Sequence, residues 1–600
     1  MSCCLQHRGP DQSAYFINEN ETVGFAHHRL AIIDKSALAN QPFHYLDYTI
    51  IFNGEIYNYL ELKQELSQSG YSFTTSSDTE VVVAAYDKWG DACLSLMDGM
   101  FAFLIYNKRE DRVFAARDRF GEKPFYYHVD YKERGRLHYM VFASEMKSLW
   151  SYGLPKQVNG MMMLNYLSLG YVQNPLKKSQ TFFSNILSLP PGHLLNINVR
   201  EGKIRMTRWY RTNRTSETQT LSEEEAIDKF SSLFIQSVDC RLRSDVSVGT
   251  SLSGGLDSSA VVASISGLRK TSAWSNLCFS AVFPGFASDE NNYSKKVADA
   301  FGLTRYTITP TADDLAQHFK KFMMHQEEPV QSSSVFTQYM VYRKAKEKGI
   351  TVLLDGQGAD EIMGGYRRYM HWYLQQLLAG GQLQLFRREK QLLQQNDLLE
   401  QWGFANYIAA FNPAKTAALL QKRAINQQRK NQFINKEFLV NHTNTDSLQK
   451  PVIKKLEDLL YYNTFIFGLE ELLRYADRNS MAHSTEVRLP FLNHELVTFI
   501  FSLPSNFKVR DGFTKWILRK SVENHLPPDI TWRKGKVGYE PPQAEWLRHP
   551  AVIELIKDSR QKLVQLGVLN SSILSAPIAA HAAHEAGNLD WRILCAAAIM

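Results

Sequence analysis

Through the first 210 residues, apolar and polar positions alternate in short runs cut by turn sequences; beyond that point helical spacing takes over. The runs SAYFINEN, TVGFAHHRLAIID, YTIIFNGEIYN, GMFAFLIYNKREDRVFAARD, PFYYHVDY, HYMVFASE and HLLNINVREGKIRMTRWY predict strands, several paired across turns such as NKRED. Residues 59–67 and 79–89 interrupt them with helical patterns. The expected first domain, 1–210, is therefore α+β and rich in sheet. Residues 211–219 (RTNRTSETQ) are polar and aperiodic, which places a boundary near residue 210.

In the second domain, 211–600, strands precede helices: VSVGTSLS before SAVVASIS, NLCFSAVF before SKKVADAFG, and TVLLD before a glycine-rich turn. That order predicts an α/β domain whose parallel sheet is crossed over by helices. Residues 367–480 are helix-rich and predict a helical layer around the sheet.

Composition adds limits. Six hundred residues, 44% hydrophobic and 22% charged, exceed what one core accommodates and exclude disordered and fibrous classes. The net charge is +7, and no block of five or more basic residues concentrates it, so nucleic acid is not an expected partner. Six cysteines without a CxxC pair support neither a disulfide framework nor a zinc site, and fit a reducing cytoplasm. No stretch of 18 apolar residues occurs, and MSCCLQHRGPDQ lacks the apolar core of a signal peptide, so a soluble intracellular chain with no membrane partner is expected.

Ser253-Gly254-Gly255-Leu256-Asp257-Ser258-Ser259 follows one predicted strand and opens a helix. Free backbone N–H groups and the helix dipole converge at such a junction, and paired glycines let a polyanion approach. The loop lacks the lysine and the spacing of a Walker P-loop, and Asp257 would repel phosphate unless Mg²⁺ bridged the two. The string resembles the pyrophosphate loop of ATP pyrophosphatases. A second strand end supports it: TVLLD runs into Asp355-Gly356-Gln357-Gly358-Ala359-Asp360-Glu361 and then Gly364-Gly365-Tyr366, at an edge where open α/β sheets bind ligands.

With these strings in place, the chain resembles the glutamine-dependent (class B) asparagine synthetase family over almost its whole length. The first domain carries His7-Arg8-Gly9-Pro10-Asp11, His28-Arg29-Leu30, Phe52-Asn53-Gly54-Glu55, Ser77-Asp78-Thr79-Glu80 and Arg117-Asp118. The second carries the loop above, Leu473-Arg474, Asp477-Arg478, Glu486, Arg488, Pro490-Phe491-Leu492, and Arg533 with Lys536-Val537-Gly538-Tyr539. The resemblance implies an amino-terminal-nucleophile glutaminase sandwich joined to an ATP-pyrophosphatase domain. Glutamine is hydrolysed in the first, and ammonia passes inside the protein to a carboxylate activated as its acyl-adenylate in the second.

Carried over by motif, Arg8, Asn53, Gly54, Glu55 and Asp78 hold glutamine. Arg8 suits an α-carboxylate, Glu55 and Asp78 suit an α-ammonium, and Asn53 with the Gly54 N–H suits an oxyanion hole. Taken singly, Asn53-Gly54 is equally a hairpin turn and Arg8 a surface cation. Nucleotide positions fall on Leu252, Ser253, Gly254, Gly255, Asp257, Ser258, Ala281, Asp355 and Gly356. Asp257 and Asp360 hold Mg²⁺, and Lys536 is the cation for charge developing as the adenylate forms. The expected cofactors are ATP and Mg²⁺. The expected partners are glutamine or ammonia, ATP, and aspartate or another carboxylate, with a homodimer left open.

Two departures stand out. The family begins Met-Cys-Gly-Ile and runs some forty residues before HRGPD, whereas here HRGPD starts at residue 7. The chain therefore reads as begun at an internal methionine, without the first strand and nucleophile; Cys3 and Cys4, in the helix ahead of HRGPD, are not expected to replace it. Gln357 stands where well-studied members carry a Glu thought to manage the ammonia proton; Gln has nearly the same shape but takes no proton at neutral pH. The readings are asparagine synthesis from aspartate, amidation of another carboxylate such as a glycan sugar acid or a peptide, or a non-catalytic nucleotide-binding remnant.

Overall fold

The computed structural model describes all residues except 133–135, 213–220, 269–272, 400, 535–539 and 586. The predicted alternation of the first domain becomes a sandwich. Its central sheet has the strand order Lys203–Arg208, His193–Asn198, Arg112–Arg117, Gly99–Asn107, Tyr48–Ile56, Phe43–Tyr45, with every adjacent pair antiparallel.

Strand Gly99–Asn107 shows why an apolar run folds this way. Its odd positions Phe101, Phe103 and Ile105 join a core with helix Asp78–Trp89, and its even positions Ala102, Leu104 and Tyr106 join the core on the other face. A period of two with both faces covered produces an unbroken apolar string. The opposite face packs against strands Tyr126–Tyr131 and Leu137–Ala143 of a second sheet and against Gly24–Arg29 of a hairpin. The two predicted helices lie at Tyr59–Gln68 and Asp78–Trp89.

The second half builds a five-stranded parallel sheet in the order Thr304–Ile308, Trp274–Ala281, Val248–Ser251, Val352–Leu354, Glu486–Arg488. From Val248–Ser251 the chain winds outward one way and then returns to wind the other way. The switch point therefore lies between the carboxyl ends of Val248–Ser251 and Val352–Leu354, where a crevice opens. Helices between Tyr369 and Met481 form the expected helical layer.

The two halves share one core. Helix Gly160–Leu169, which precedes the aperiodic segment, packs on helices Pro413–Arg429, Lys436–His442 and Leu589–Ile599. No described helix is long and apolar enough to cross a membrane.

Candidate functional site

Two cavities carry the chemistry. The first, about 350 Å³, lies in the amino-terminal sandwich and is lined by all five residues expected to hold glutamine, Arg8, Asn53, Gly54, Glu55 and Asp78. Asn53 and Gly54 sit inside strand Tyr48–Ile56, opposite Ala102 and Phe101, so the dipeptide is not a hairpin turn. Asp78 opens helix Asp78–Trp89, and its carboxylate accepts the Ile56 N–H at 2.9 Å. Burial pushes the Asp78 carboxyl up to about 6, against the lowering effect of that hydrogen bond. Burial first, and the charge of Asp78 second, push Glu55 well above the usual carboxylate range although Arg488 approaches it at 3.0 Å. Glu55 Oε1 is buried with no hydrogen-bond partner among the described residues, an acceptor waiting for a donor. Cys3 and Cys4 are not part of the lining.

Arg8 lines this cavity, but its guanidinium is already occupied. It donates to both oxygens of Asp477, at 2.8 and 2.9 Å, and to Glu145 at 2.9 Å. Arg29, also in the lining, donates instead to the carbonyls of Ile33, Asp34 and Ser36 and to the Asn40 side chain. These acceptors are neutral oxygens, and although Asp34, Asp78, Asp11 and Glu55 act on its charge from a distance, no carboxylate among the described residues forms an ion pair with it. The motif His28-Arg29-Leu30 held this signal; sequence reasoning placed the carboxylate grip on Arg8.

The second cavity, about 320 Å³, opens at the switch point of the parallel sheet. Leu252, Ser253, Asp257, Ser258, Ala281, Asp355, Gly356, Gln357 and Asp360 line it. Gly254 and Gly255 are not in the lining; they shape the loop beneath. Gly254 has φ +80°, and a Cβ there would lie 2.3 Å from the Ser294 nitrogen, so only glycine fits. Helix Leu256–Gly267 starts at Gly255 and turns its free N–H groups into the crevice. Gln357 Oε1 is buried with no hydrogen-bond partner among the described residues. Tyr366, also in the lining, donates to Glu361 behind it, and burial, followed by the charge of Asp360, raises that carboxyl to about 7.

Sequence reasoning missed Lys515. Its ammonium donates to both oxygens of Asp257, at 2.6 and 2.7 Å, and pairs with Asp360 as well. Lys515 is buried, takes a left-handed backbone at φ +53°, and starts helix Trp516–Val522. Gly365 leaves room for the arrangement: a Cβ there would lie 1.8 Å from Asp360 Oδ1 and 2.3 Å from Lys515 Cε. The two expected metal carboxylates, from two different strand ends, thus converge on one cationic position. Two carboxylates beside a polyphosphate are the donor set Mg²⁺ takes, so the residues fit the ion. Lys536 lies outside the described residues. Arg533, just before it, is held at 2.7 Å by Glu290, which lines the cavity.

Helix Leu469–Met481 joins the two sites. It turns Glu470 to Arg117 at 3.0 Å, Arg474 to Glu328 at 2.6 Å, Asp477 to Arg8, and Arg478 to Glu145 at 3.2 Å and Glu327 at 2.9 Å, while Leu472 and Tyr475 reach the second cavity. Glu327 in turn accepts the N–H groups of Met146 and Lys147 at the start of helix Met146–Tyr152, where a negative charge is favoured. Arg488 spans both sites: its carbonyl accepts the Asp355 N–H at 3.0 Å, and its guanidinium reaches Glu55.

Residues 229–600 match the asparagine synthase family, and residues 1–210 match the glutamine amidotransferase domain family. Among curated proteins, the chain is 32% identical to asparagine synthetase [glutamine-hydrolyzing] 1 of Bacillus subtilis (strain 168), over 92% of this chain and 84% of that protein. It is 30% identical to asparagine synthetase [glutamine-hydrolyzing] 3 of the same organism, over 89% of this chain and 82% of that protein.

Proposed function

The chain belongs to the asparagine synthase family of glutamine-hydrolysing amidotransferases, and from that premise we propose that it converts aspartate to asparagine through a β-aspartyl-adenylate, releasing AMP and pyrophosphate. The observation that carries this reading is the convergence of Asp257 and Asp360 on one cation at the switch point of the parallel sheet, beside the loop 253–259. Leu252 and Ala281 face the nucleotide, the 253–259 loop cradles its phosphates, and Asp257 and Asp360 would hold Mg²⁺. Bound there, Mg²⁺ would offset the charge of the pyrophosphate leaving group. Lys515 holds the two carboxylates together before nucleotide arrives, and Lys536 neutralises charge on the α-phosphate as the adenylate forms. Asparagine as product rests on the names of the curated relatives.

In the glutamine cavity, Glu55 and Asp78 accept the α-ammonium and Asn53 with the Gly54 N–H receives the oxyanion. Arg29 takes the α-carboxylate in place of Arg8: Arg8 is ion-paired with Asp477 and Glu145, whereas the partners of Arg29 are neutral oxygens that a carboxylate can replace. The test supplies the purified protein with ATP, Mg²⁺, aspartate and ¹⁵N-ammonium. Labelled asparagine in step with AMP supports the reading, whereas pyrophosphate release with a sugar acid or peptide and none with aspartate overturns the acceptor.

A further inference from the structure

One element of the helical layer turns the usual helix pattern inside out. In helix Phe404–Phe411, the residues Phe404, Tyr407, Ile408 and Phe411 fall within one arc of about 100°; Phe404, 79% exposed, Phe411, 68%, and Ile408, 51%, face solvent, while Tyr407 at the edge of the arc packs its ring on Phe386 and Trp402. Burial is left to Ala409. Asn412 ends this helix and caps the next, Pro413–Arg429, accepting the Lys415 N–H. There Ala417, Ala424 and Gln428 are buried, and Leu419, 64% exposed, sits at the centre of the opposite face. Lys415, Lys422 and Arg423, all exposed, flank it within about 60° at 100° per residue. Residues 401–436 hold six lysines and arginines and no aspartate or glutamate, so they account for six of the seven excess positive charges of the whole protein.

We propose that this helix pair docks the protein on a bilayer surface containing anionic phospholipid. An anionic bilayer uses both features at once, taking the apolar arc at the headgroup boundary and the cations among the phosphates. A second copy of the same face would set six positive charges against six. A nucleic acid would use the cations and leave Phe404, Ile408 and Phe411 in water. The expectation of no membrane partner rested on the lack of an 18-residue apolar stretch and of an apolar signal-peptide core; lying on a surface requires neither. The inference is independent of the acceptor proposed above.

The test is co-sedimentation of the full chain with phosphatidylcholine vesicles and with vesicles containing about one-third phosphatidylglycerol, at low and high salt. Binding is expected only to the anionic vesicles and is expected to fall with salt. Phe404→Ser with Phe411→Ser should weaken it on the order of tenfold or more. Lys422→Glu with Arg423→Glu should weaken it on the order of 25-fold or more, at about fivefold per charge. Pyrophosphate release in solution, which reports that each variant is folded, should stay unchanged. Three results would overturn the proposal: no binding at low salt, binding indifferent to both pairs of substitutions, or a soluble oligomer that Phe411→Ser dissolves without any vesicle binding.

Discussion

Arg8 and Asp477, 469 residues apart, meet as a two-pronged fork, with one guanidinium nitrogen on each carboxylate oxygen at 2.8 and 2.9 Å. Both side chains are buried, and Asp477 is held below the usual carboxylate range by Arg8 and Lys123 against the effect of burial. The fork fastens the amino-terminal sandwich to helix Leu469–Met481.

Removing one prong strands a buried charge. Arg8→Met should therefore destabilise the protein by about 3–5 kcal/mol, while Arg8→Met combined with Asp477→Leu should recover most of the loss. Denaturant unfolding of the four members of this cycle measures it; additive losses would mean that the two residues act independently.

At the second cavity, Asp257→Asn removes a carboxylate that we assign to Mg²⁺, and Lys515→Met leaves Asp257 and Asp360 without the ammonium they share. Each should slow pyrophosphate release on the order of a hundredfold or more. An unchanged rate in Asp257→Asn would refute its metal role.

Lys536→Ala should suppress adenylation, whereas Lys534→Ala should hardly alter it, because only Lys536 lies in the register K-x-G-aromatic. A damaging Lys534→Ala would shift the assignment by two residues.

The Asp78 carboxyl, about 6 in the fold against an ordinary 3.8, makes a signed prediction. Ionisation is penalised in the native state, so the contribution of Asp78 to stability is present below about pH 4 and is lost as pH rises through about 6. Asp78→Asn should flatten that slope in unfolding curves. Glutamine binding needs the ionised form, so its affinity, read by calorimetry, should weaken as pH drops below about 6. A pH-independent affinity would remove Asp78 from the ammonium site.

Gln357→Glu adds a proton acceptor where an amide oxygen is buried without a partner. Pyrophosphate release should persist, while the yield of amide per AMP should change with pH. Loss of ATP binding would instead make Gln357 a nucleotide contact.

Most of the fold was legible wherever one local pattern repeated. The parallel sheet was foreseen from three strands, but Thr304–Ile308 and Glu486–Arg488 were not. The latter is three residues long with a charge at each end, and the partners of those charges, Glu55, Lys123, the carbonyls of Arg241 and Arg243, and one another, come together in the assembled protein. Lys515 escaped for the same reason: nothing within a few residues of it marks the 258-residue reach to Asp257. The pairing of Arg8 was hidden likewise, because its partners lie far along the chain at Glu145 and Asp477. A motif names residues that belong together, and long-range pairing decides what each one touches.

Arg488 also bears on how such a protein can change. One residue sets its backbone against Asp355 and its side chain against Glu55, so the two halves keep a common ruler. Adding or deleting a residue between 486 and 488 would turn Arg488 to the other face of its strand and disturb both pockets in one stroke. Exchanging either half for that of a distant homologue would therefore tend to fail at this junction even if each half folded, and paired changes at 55 and 488 would be the first repair to try.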